Sequence, residues 1–149
     1  MRIENDVKGC TLGVREIDPH VEVMERFGCA VERSSGALII RSEGLQANHH
    51  WLDYASVTTT ENFVLCAALA HGTSTLTNAA SEPHVQEFCA FMAMLGAQIE
   101  GIGTSRLTVH GVRQLGGGTF TFTEDVHEAV TFMALGAITG GSIAVKNSA

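Results

Sequence analysis

The chain has 149 residues, enough for one domain with a hydrophobic core, and 45% of its residues are hydrophobic. Sixteen acidic residues against nine basic ones give a net charge of −7, so nucleic acid, which needs a basic surface, is not an expected partner. The sequence has no apolar run near the roughly 20 residues that cross a bilayer and no signal-peptide core at its start, so a cytoplasmic location without a membrane partner is expected.

Hydrophobic periodicity predicts helices and strands that alternate along the chain. The first helix is predicted to start at Asp18, which would be its N-cap, with Pro19 as its first residue and Gly28 as its end. The predicted helices cover residues 18–27, 63–70, 81–95 and 125–138. The predicted strands cover residues 29–33, 37–41, 51–53, 73–77, 97–100, 106–110, 119–123 and 142–145.

The charge pattern predicts the order of the layers. Residues 63–70 and 129–138 carry no charge, and a helix that is apolar on every side must be buried on every side. The strands instead alternate apolar and polar residues, which is typical of a sheet with one wet face. An α/β fold with helices inside and sheets outside is therefore predicted.

Two internal similarities indicate a repeated unit. Residues 24–32 parallel residues 92–100, and residues 67–78 parallel residues 136–147. The unit is predicted to be βαβαββ, within a single partial domain over residues 1–149. A half repeat would cover about 9–54, a full repeat about 55–112, and another half repeat about 116–149.

Among the four cysteines, Cys10 alone lies in a polar, glycine-rich loop. Lys8 and Arg15 make that loop electropositive, which favours the thiolate. The alternative is an ordinary surface loop whose cysteine has no function. The cysteines show no CxxC spacing and the histidines form no ligand set, so no metal site is expected. The remaining cysteines are predicted to be small core residues: Cys29, Cys66 and Cys89.

Three groups of motifs carry a family resemblance. Residues 9–13 read Gly-Cys-Thr-Leu-Gly and are followed by Arg15 and Asp18; Ser56-Val57 precedes Thr-Glu-Asn at 60–62; and 78–80 read Asn-Ala-Ala, followed by Glu-Pro. Together these motifs resemble the UDP-N-acetylglucosamine 1-carboxyvinyltransferase (enolpyruvyl transferase) family over nearly the whole chain.

The resemblance implies a fold and a reaction. The fold is an inside-out α/β barrel of βαβαββ units in two domains, of which this chain would be part of one. The reaction transfers an enolpyruvyl group from phosphoenolpyruvate to the 3-hydroxyl of UDP-N-acetylglucosamine in peptidoglycan synthesis, with loss of phosphate. Both substrates and the remainder of the enzyme would be partners, and no cofactor is expected.

The resemblance also implies roles for the following residues: Cys10, Arg15, Asp18, Ser56, Val57, Thr58 and Glu82. Cys10 would donate a proton to the enol carbon and would react with fosfomycin, while Arg15 would bind phosphate groups. Asp18 would accept a hydrogen bond from the uracil edge. Ser56 and the two residues after it would hold the diphosphate at a helix start. Glu82 would belong to the interdomain cleft.

Five positions depart from the family pattern. The family often has proline where Glu16 stands, leucine at Pro19 and a basic residue at Tyr54. It often has glycine at Thr58 and arginine at Val126. The family also has a preceding segment with a Lys-Asn pair that binds phosphoenolpyruvate, and most of a second domain, which this sequence lacks. The sequence stops in the middle of a repeat. A fragment that is inactive alone is therefore expected.

Two alternatives remain open at this point. A non-catalytic binding or assembly domain of the same fold would have open sheet edges that favour a homodimer. A sister enzyme, such as enolpyruvylshikimate phosphate synthase or RNA-phosphate cyclase, would take another substrate. The loop sequence at 9–13 disfavours both sister enzymes, and the acid excess disfavours RNA.

Overall fold

A computed structural model describes residues 1–4, 16–34 and 36–145, within which the chain forms seven strands and four helices. The strands are β1 (Arg2–Glu4), β2 (Ala30–Ser34), β3 (Ala37–Arg41), β4 (His49–Trp51), β5 (Thr73–Thr77), β6 (Gln98–Glu100) and β7 (Arg106–His110). The helices are α1 (Asp18–Arg26), α2 (Val57–Ala68), α3 (Pro83–Met94) and α4 (Val126–Thr139).

The strands form two sheets. The smaller one is antiparallel with the order β1-β3-β2, and the larger one has the order β4-β5-β7-β6. Strand β4 runs parallel to β5, whereas the other pairs of the larger sheet are antiparallel. Among the described residues, β1, β2, β4 and β6 are therefore the edge strands, and a homodimer formed through such edges stays a prediction.

Alternation along the strands buries one face of the larger sheet. Leu76 of β5 and both Leu107 and Val109 of β7 point into the core, where they lie with α2 and α3. Residues between them, such as Thr108, lie on the more accessible face. This arrangement agrees with the predicted order, in which helices cover one face of a sheet and water wets the other.

The prediction that two helices are buried on every side is wrong for this chain. Helix α2 buries one face, with Phe63 and Val64 fully covered, but Leu65 and Leu69 on its other side are 49% and 46% exposed. In α4, Gly136 is the one buried residue of fourteen. An apolar sequence makes burial favourable, but burial also needs a covering element.

Three strand predictions also differ from the structure. Strand β4 covers 49–51 rather than 51–53, because His50 is the inward residue and Trp51 points to solvent. Residues 119–123 and 142–145 form no strand. In the first of these segments Phe120 packs on Phe91 of α3, with ring centroids 5.6 Å apart, so its alternating pattern serves a contact with a helix. The short β1 was not predicted.

The end of β7 lies against the end of α2. The Gly111 N–H donates to the Gly72 carbonyl at 2.9 Å, and the Val112 N–H donates to the Ala68 carbonyl at 2.8 Å. A Cβ atom on Gly111 would overlap the Ala70 carbonyl oxygen, so a glycine is required where the two backbones meet.

None of the helices in the described part of the chain has both the length and the apolar character needed to cross a membrane.

Candidate functional site

A pocket of about 680 Å³ opens between α1 and the connection from β4 to α2. One wall comes from the start of α1 and from β2, and the other from residues that precede α2. The lining residues are Glu16, Asp18, Pro19, Val21, Glu22, Glu25, Arg33, His50, Leu52, Asp53, Tyr54 and Ser56. Two segments that are distant in sequence therefore meet in one cavity.

The first wall carries a carboxylate at the start of α1. The N-cap of this helix is Ile17, and no side chain makes a capping hydrogen bond there, so the prediction that Asp18 caps the helix is wrong. Asp18 is already the first helical residue, with Pro19 after it, and its carboxylate pairs with the Arg33 guanidinium instead.

Arg33 reaches this wall because the chain reverses after α1. Gly28 has φ +92°, a left-handed conformation that ends the helix and turns the chain into β2. Strand β2 then packs on α1 and returns towards its start. A residue near the end of β2 consequently lies beside the first turn of α1.

The second wall ends at the start of α2. Ser56 is the N-cap, and its hydroxyl oxygen accepts from the Thr59 N–H at 3.3 Å. Thr60 fixes the same turn, since its hydroxyl donates to the Ser56 carbonyl at 2.7 Å and accepts from the Ala80 N–H at 3.0 Å. The backbone N–H groups of such a helix start attract anions, including phosphate groups.

The two walls are linked by a side-chain contact. Thr58, in the first turn of α2, makes a 3.3 Å hydrogen bond through its hydroxyl with Nε2 of His20 on α1. The Asn62 amide adds a 3.4 Å donation to the His20 carbonyl. Burial lowers the pKa of His20, so its imidazole is neutral at about pH 7.

The described part of the lining is acidic. Among the described residues that line the pocket, five carboxylates, at positions 16, 18, 22, 25 and 53, face one guanidinium, that of Arg33. Glu22 is also paired with Arg26 at 3.0 Å. His50 is buried, and burial lowers its pKa more than nearby charges change it, so it faces the cavity as a neutral group that can donate or accept.

Comparison with known proteins identifies the family. Residues 8–149 match the family described as EPSP synthase (3-phosphoshikimate 1-carboxyvinyltransferase). The chain belongs to the EPSP synthase family. A UDP-N-acetylglucosamine 1-carboxyvinyltransferase of Novosphingobium aromaticivorans is 41% identical over 142 residues, which are 94% of this chain and 33% of that protein. The chain thus spans about a third of this curated relative's length.

Solved structures support the same assignment. The enolpyruvyl transferase NikO from Streptomyces tendae superposes with a TM-score of 0.73 at 26% identity, over 84% of this chain and 32% of that one. An EPSP synthase from Acinetobacter baumannii gives a TM-score of 0.66 at 18% identity, over 83% of this chain and 28% of that one, which shows the fold alone. The predicted enolpyruvyl transferase fold is therefore confirmed.

In this member of the EPSP synthase family, the structure brings together only part of the predicted site. Asp18 and Ser56 line the same pocket. Val57 turns towards the hydrophobic core, and Thr58 is exposed but bonded to α1. Glu82 is exposed as the N-cap of α3 and does not line this pocket. The loop with Cys10 and Arg15 lies outside the described residues.

The other cysteines behave as the sequence predicted. Cys89 is buried in the main core, and the half-buried Cys66 packs against the same core, while the half-buried Cys29 packs against a smaller cluster of Val21, Leu38 and Ile40. Burial raises the pKa of the Cys66 and Cys89 thiols to about 11, so both are protonated and unreactive at neutral pH.

A smaller pocket of about 350 Å³ lies between the starts of α3 and α4. His84 and His127 line it with ring centroids 5.5 Å apart, and Asp125 caps α4 beside them. Among the described residues, no three histidine, cysteine or acidic side chains are placed to hold a metal ion. The sequence did not predict this pocket.

Sequence reasoning missed Arg33 and His50 as lining residues of the larger pocket. A signal for Arg33 was available, because a short helix followed by Gly28 and a strand predicts that the strand runs back along the helix. For His50 the signal was hidden, because its neighbour Trp51 looked like the inward residue of the strand.

Proposed function

We propose that this chain forms the nucleotide-sugar-binding part of a UDP-N-acetylglucosamine 1-carboxyvinyltransferase. The enzyme would transfer the enolpyruvyl group of phosphoenolpyruvate to the sugar 3-hydroxyl, with release of phosphate. The observation that carries the proposal is the pocket in which Asp18 and Ser56 meet, 38 residues apart in sequence. The name of the relative that is 41% identical supports the choice of substrate.

The chemistry of the two walls suits a uridine diphosphate sugar. The exposed Asp18 carboxylate is an acceptor for the N–H on the uracil edge. The start of α2, with Ser56 as its cap and backbone N–H groups directed outwards, suits the diphosphate. The neutral His50 between them adds a group that can donate or accept without further charge.

In this proposal Cys10 supplies the acid. Enolpyruvyl transfer adds the sugar oxygen, which gives up its hydroxyl proton, to C2 of phosphoenolpyruvate and a proton to the C3 methylene. Loss of phosphate from C2 and of one proton from C3 then restores the double bond. A thiol in an electropositive loop with Arg15 can deliver the proton to C3 and would react with fosfomycin. Arg15 would bind phosphate, and Glu82 would face the interdomain cleft. A cytoplasmic location follows, because phosphoenolpyruvate is a cytoplasmic metabolite.

A sister transferase that acts on 3-phosphoshikimate is the second candidate, since the family that matches carries that name. The solved EPSP synthases are only 18% identical, which favours the nucleotide sugar. A non-catalytic assembly domain is a third candidate, and the edge strands of the two sheets are the feature that supports it.

An NMR titration monitored through the backbone amide chemical shifts tests the choice between these candidate functions. UDP-N-acetylglucosamine should shift the amides at the starts of α1 and α2, and shikimate 3-phosphate should not. Asp18→Asn should weaken the nucleotide-sugar titration, whereas Asp125→Asn, which changes a carboxylate at the start of α4 outside this pocket, should not. Shifts with shikimate 3-phosphate alone would instead support the sister enzyme, and shifts with neither ligand would contradict both transferases.

A further inference from the structure

We propose that Arg33 is a positioning residue that holds the Asp18 carboxylate towards the pocket, ready to accept a hydrogen bond from a ligand base. This inference rests on the proposed function, because it assigns the base edge of a uridine nucleotide to Asp18. Arg33 would act through Asp18 rather than by contact with the ligand.

The first argument is that the Asp18 carboxylate does not cap its own helix. An aspartate at a helix start normally turns back to cap the backbone N–H groups. Here Ile17 occupies the N-cap position and no side chain caps the helix, so that use is absent from α1. The Asp18 carboxylate, 72% exposed, pairs with Arg33 across the gap to β2.

The second argument is electrostatic. Glu16, Glu22, Glu25 and Asp53 also line the pocket, and their charges favour rotation of the Asp18 carboxylate away into solvent. Arg33 is the one guanidinium in the described lining, and its planar fork of donors suits a carboxylate. It therefore opposes that rotation and holds the acceptor in place.

The third argument is geometric. The recorded contact joins Nη2 of Arg33 to Oδ1 of Asp18, which leaves Oδ2 with its acceptor sites for a ligand. The guanidinium comes from β2, a different element, so the contact ties the carboxylate to a second part of the fold. A ligand N–H would meet a carboxylate that is already oriented.

The chain offers a matched control. Arg41 of β3 pairs with Glu32 of β2 at 3.0 Å, with exposures of 65% and 59%, close to those of Arg33 and Asp18. Neither Arg41 nor Glu32 lines the pocket. Loss of this pair removes an ion pair of similar exposure that also involves β2.

The test is calorimetric titration of the chain with UDP and with N3-methyl-UDP, whose base cannot donate from N3. Arg33→Leu should weaken UDP binding about two- to five-fold, the range expected of an exposed ion pair, and Arg33→Lys should weaken it less. Arg41→Leu should leave it unchanged. N3-methyl-UDP should bind Arg33→Leu and the unchanged chain equally well, and Arg33→Leu should have no effect in an Asp18→Asn background.

Three results would overturn the inference. Equal UDP binding by Arg33→Leu and the unchanged chain would show that Arg33 positions nothing, while the proposed function would stand. Equal weakening for UDP and N3-methyl-UDP would show direct contact between Arg33 and the ligand. Binding of neither nucleotide by the unchanged chain would remove the proposed function together with the inference. Circular dichroism identifies a variant that does not fold, and the lysine variant then carries the test.

Discussion

Helices α2 and α4 have similar apolar sequences but very different surroundings. Helix α2 lies between α1, α3 and the larger sheet, and half of its twelve residues are buried. Helix α4 is longer and more apolar, yet Gly136 is its one buried residue, while Met133 and Ile138 are 66% and 84% exposed. Composition alone therefore does not decide which helix forms a core.

The difference teaches what an apolar pattern can predict. Burial of apolar surface is favourable wherever a partner is available, so the same sequence pattern is satisfied in α2 and unsatisfied in α4. The chain spans about a third of its relative's length, and five large apolar side chains of α4 are exposed: Val130, Phe132, Met133, Leu135 and Ile138.

The largest expected effect tests this comparison with two phenylalanines. Phe63 of α2 is fully buried and packs on Phe27, with ring centroids 5.1 Å apart. Phe63→Ala should lower the free energy of unfolding by about 3–5 kcal/mol, because it leaves a cavity. Phe132→Ala on α4, where the ring is 46% exposed, should change it by about 0.5 kcal/mol or less. Urea unfolding measures both, and equal losses would mean that α4 is as well packed as α2.

A smaller effect on stability is expected from removing the N-cap of α2, and a different effect from removing the N-cap of α4. Ser56 caps α2, and Asp125 caps α4 by accepting from the His127 N–H at 2.8 Å. Ser56→Ala should lower the global free energy of unfolding by about 1 kcal/mol. Asp125→Ala should reduce the helical circular dichroism signal but leave the unfolding midpoint unchanged, since little of α4 is packed. A shifted midpoint in Asp125→Ala would show that α4 unfolds together with the core.

The smallest effect is the pH dependence that comes from His50. Burial keeps its pKa below the ordinary value of about 6.5, so the unfolded chain binds this proton more readily than the folded one. Stability is therefore complete above about pH 6.5 and is lost as the pH falls below that value. Thermal unfolding between about pH 7.5 and 5.5 should show this loss, and His50→Gln should reduce it. The same loss in both proteins would assign it to other groups, such as His20.

The sequence was sufficient for most of the elements. The predicted helices overlap all four observed ones, although α2 begins at Val57 rather than at the predicted residue 63. Alternation predicted the strands that became β2, β3, β5, β6 and β7. The strand prediction was wrong where an alternating segment packs on a helix instead of joining a sheet, as when Phe120 packs on Phe91. The exposed faces of α2 and α4 could not be predicted, because the sequence of a helix does not reveal which other elements pack against it.

The candidate site was predictable only through its motifs. The resemblance singled out Asp18 and Ser56, which line one pocket. It gave no sign of Arg33, since the pairing of Arg33 with Asp18 depends on how β2 returns along α1. The cap assigned to Asp18 failed because the helix starts one residue earlier than predicted, with Ile17 as the N-cap and Asp18 as the first helical residue, and this freed the carboxylate for another role.

The close approach at Gly111 joins the end of α2 and the segment after it to the larger sheet through backbone atoms alone. Because no side chain stands there, the last turn of α2 sits directly on the backbone that leaves β7. Any other residue would place its Cβ on the Ala70 carbonyl oxygen, so one of the two backbones would have to move. The junction between the sheet and the end of α2 therefore depends on a position that only a hydrogen atom can occupy.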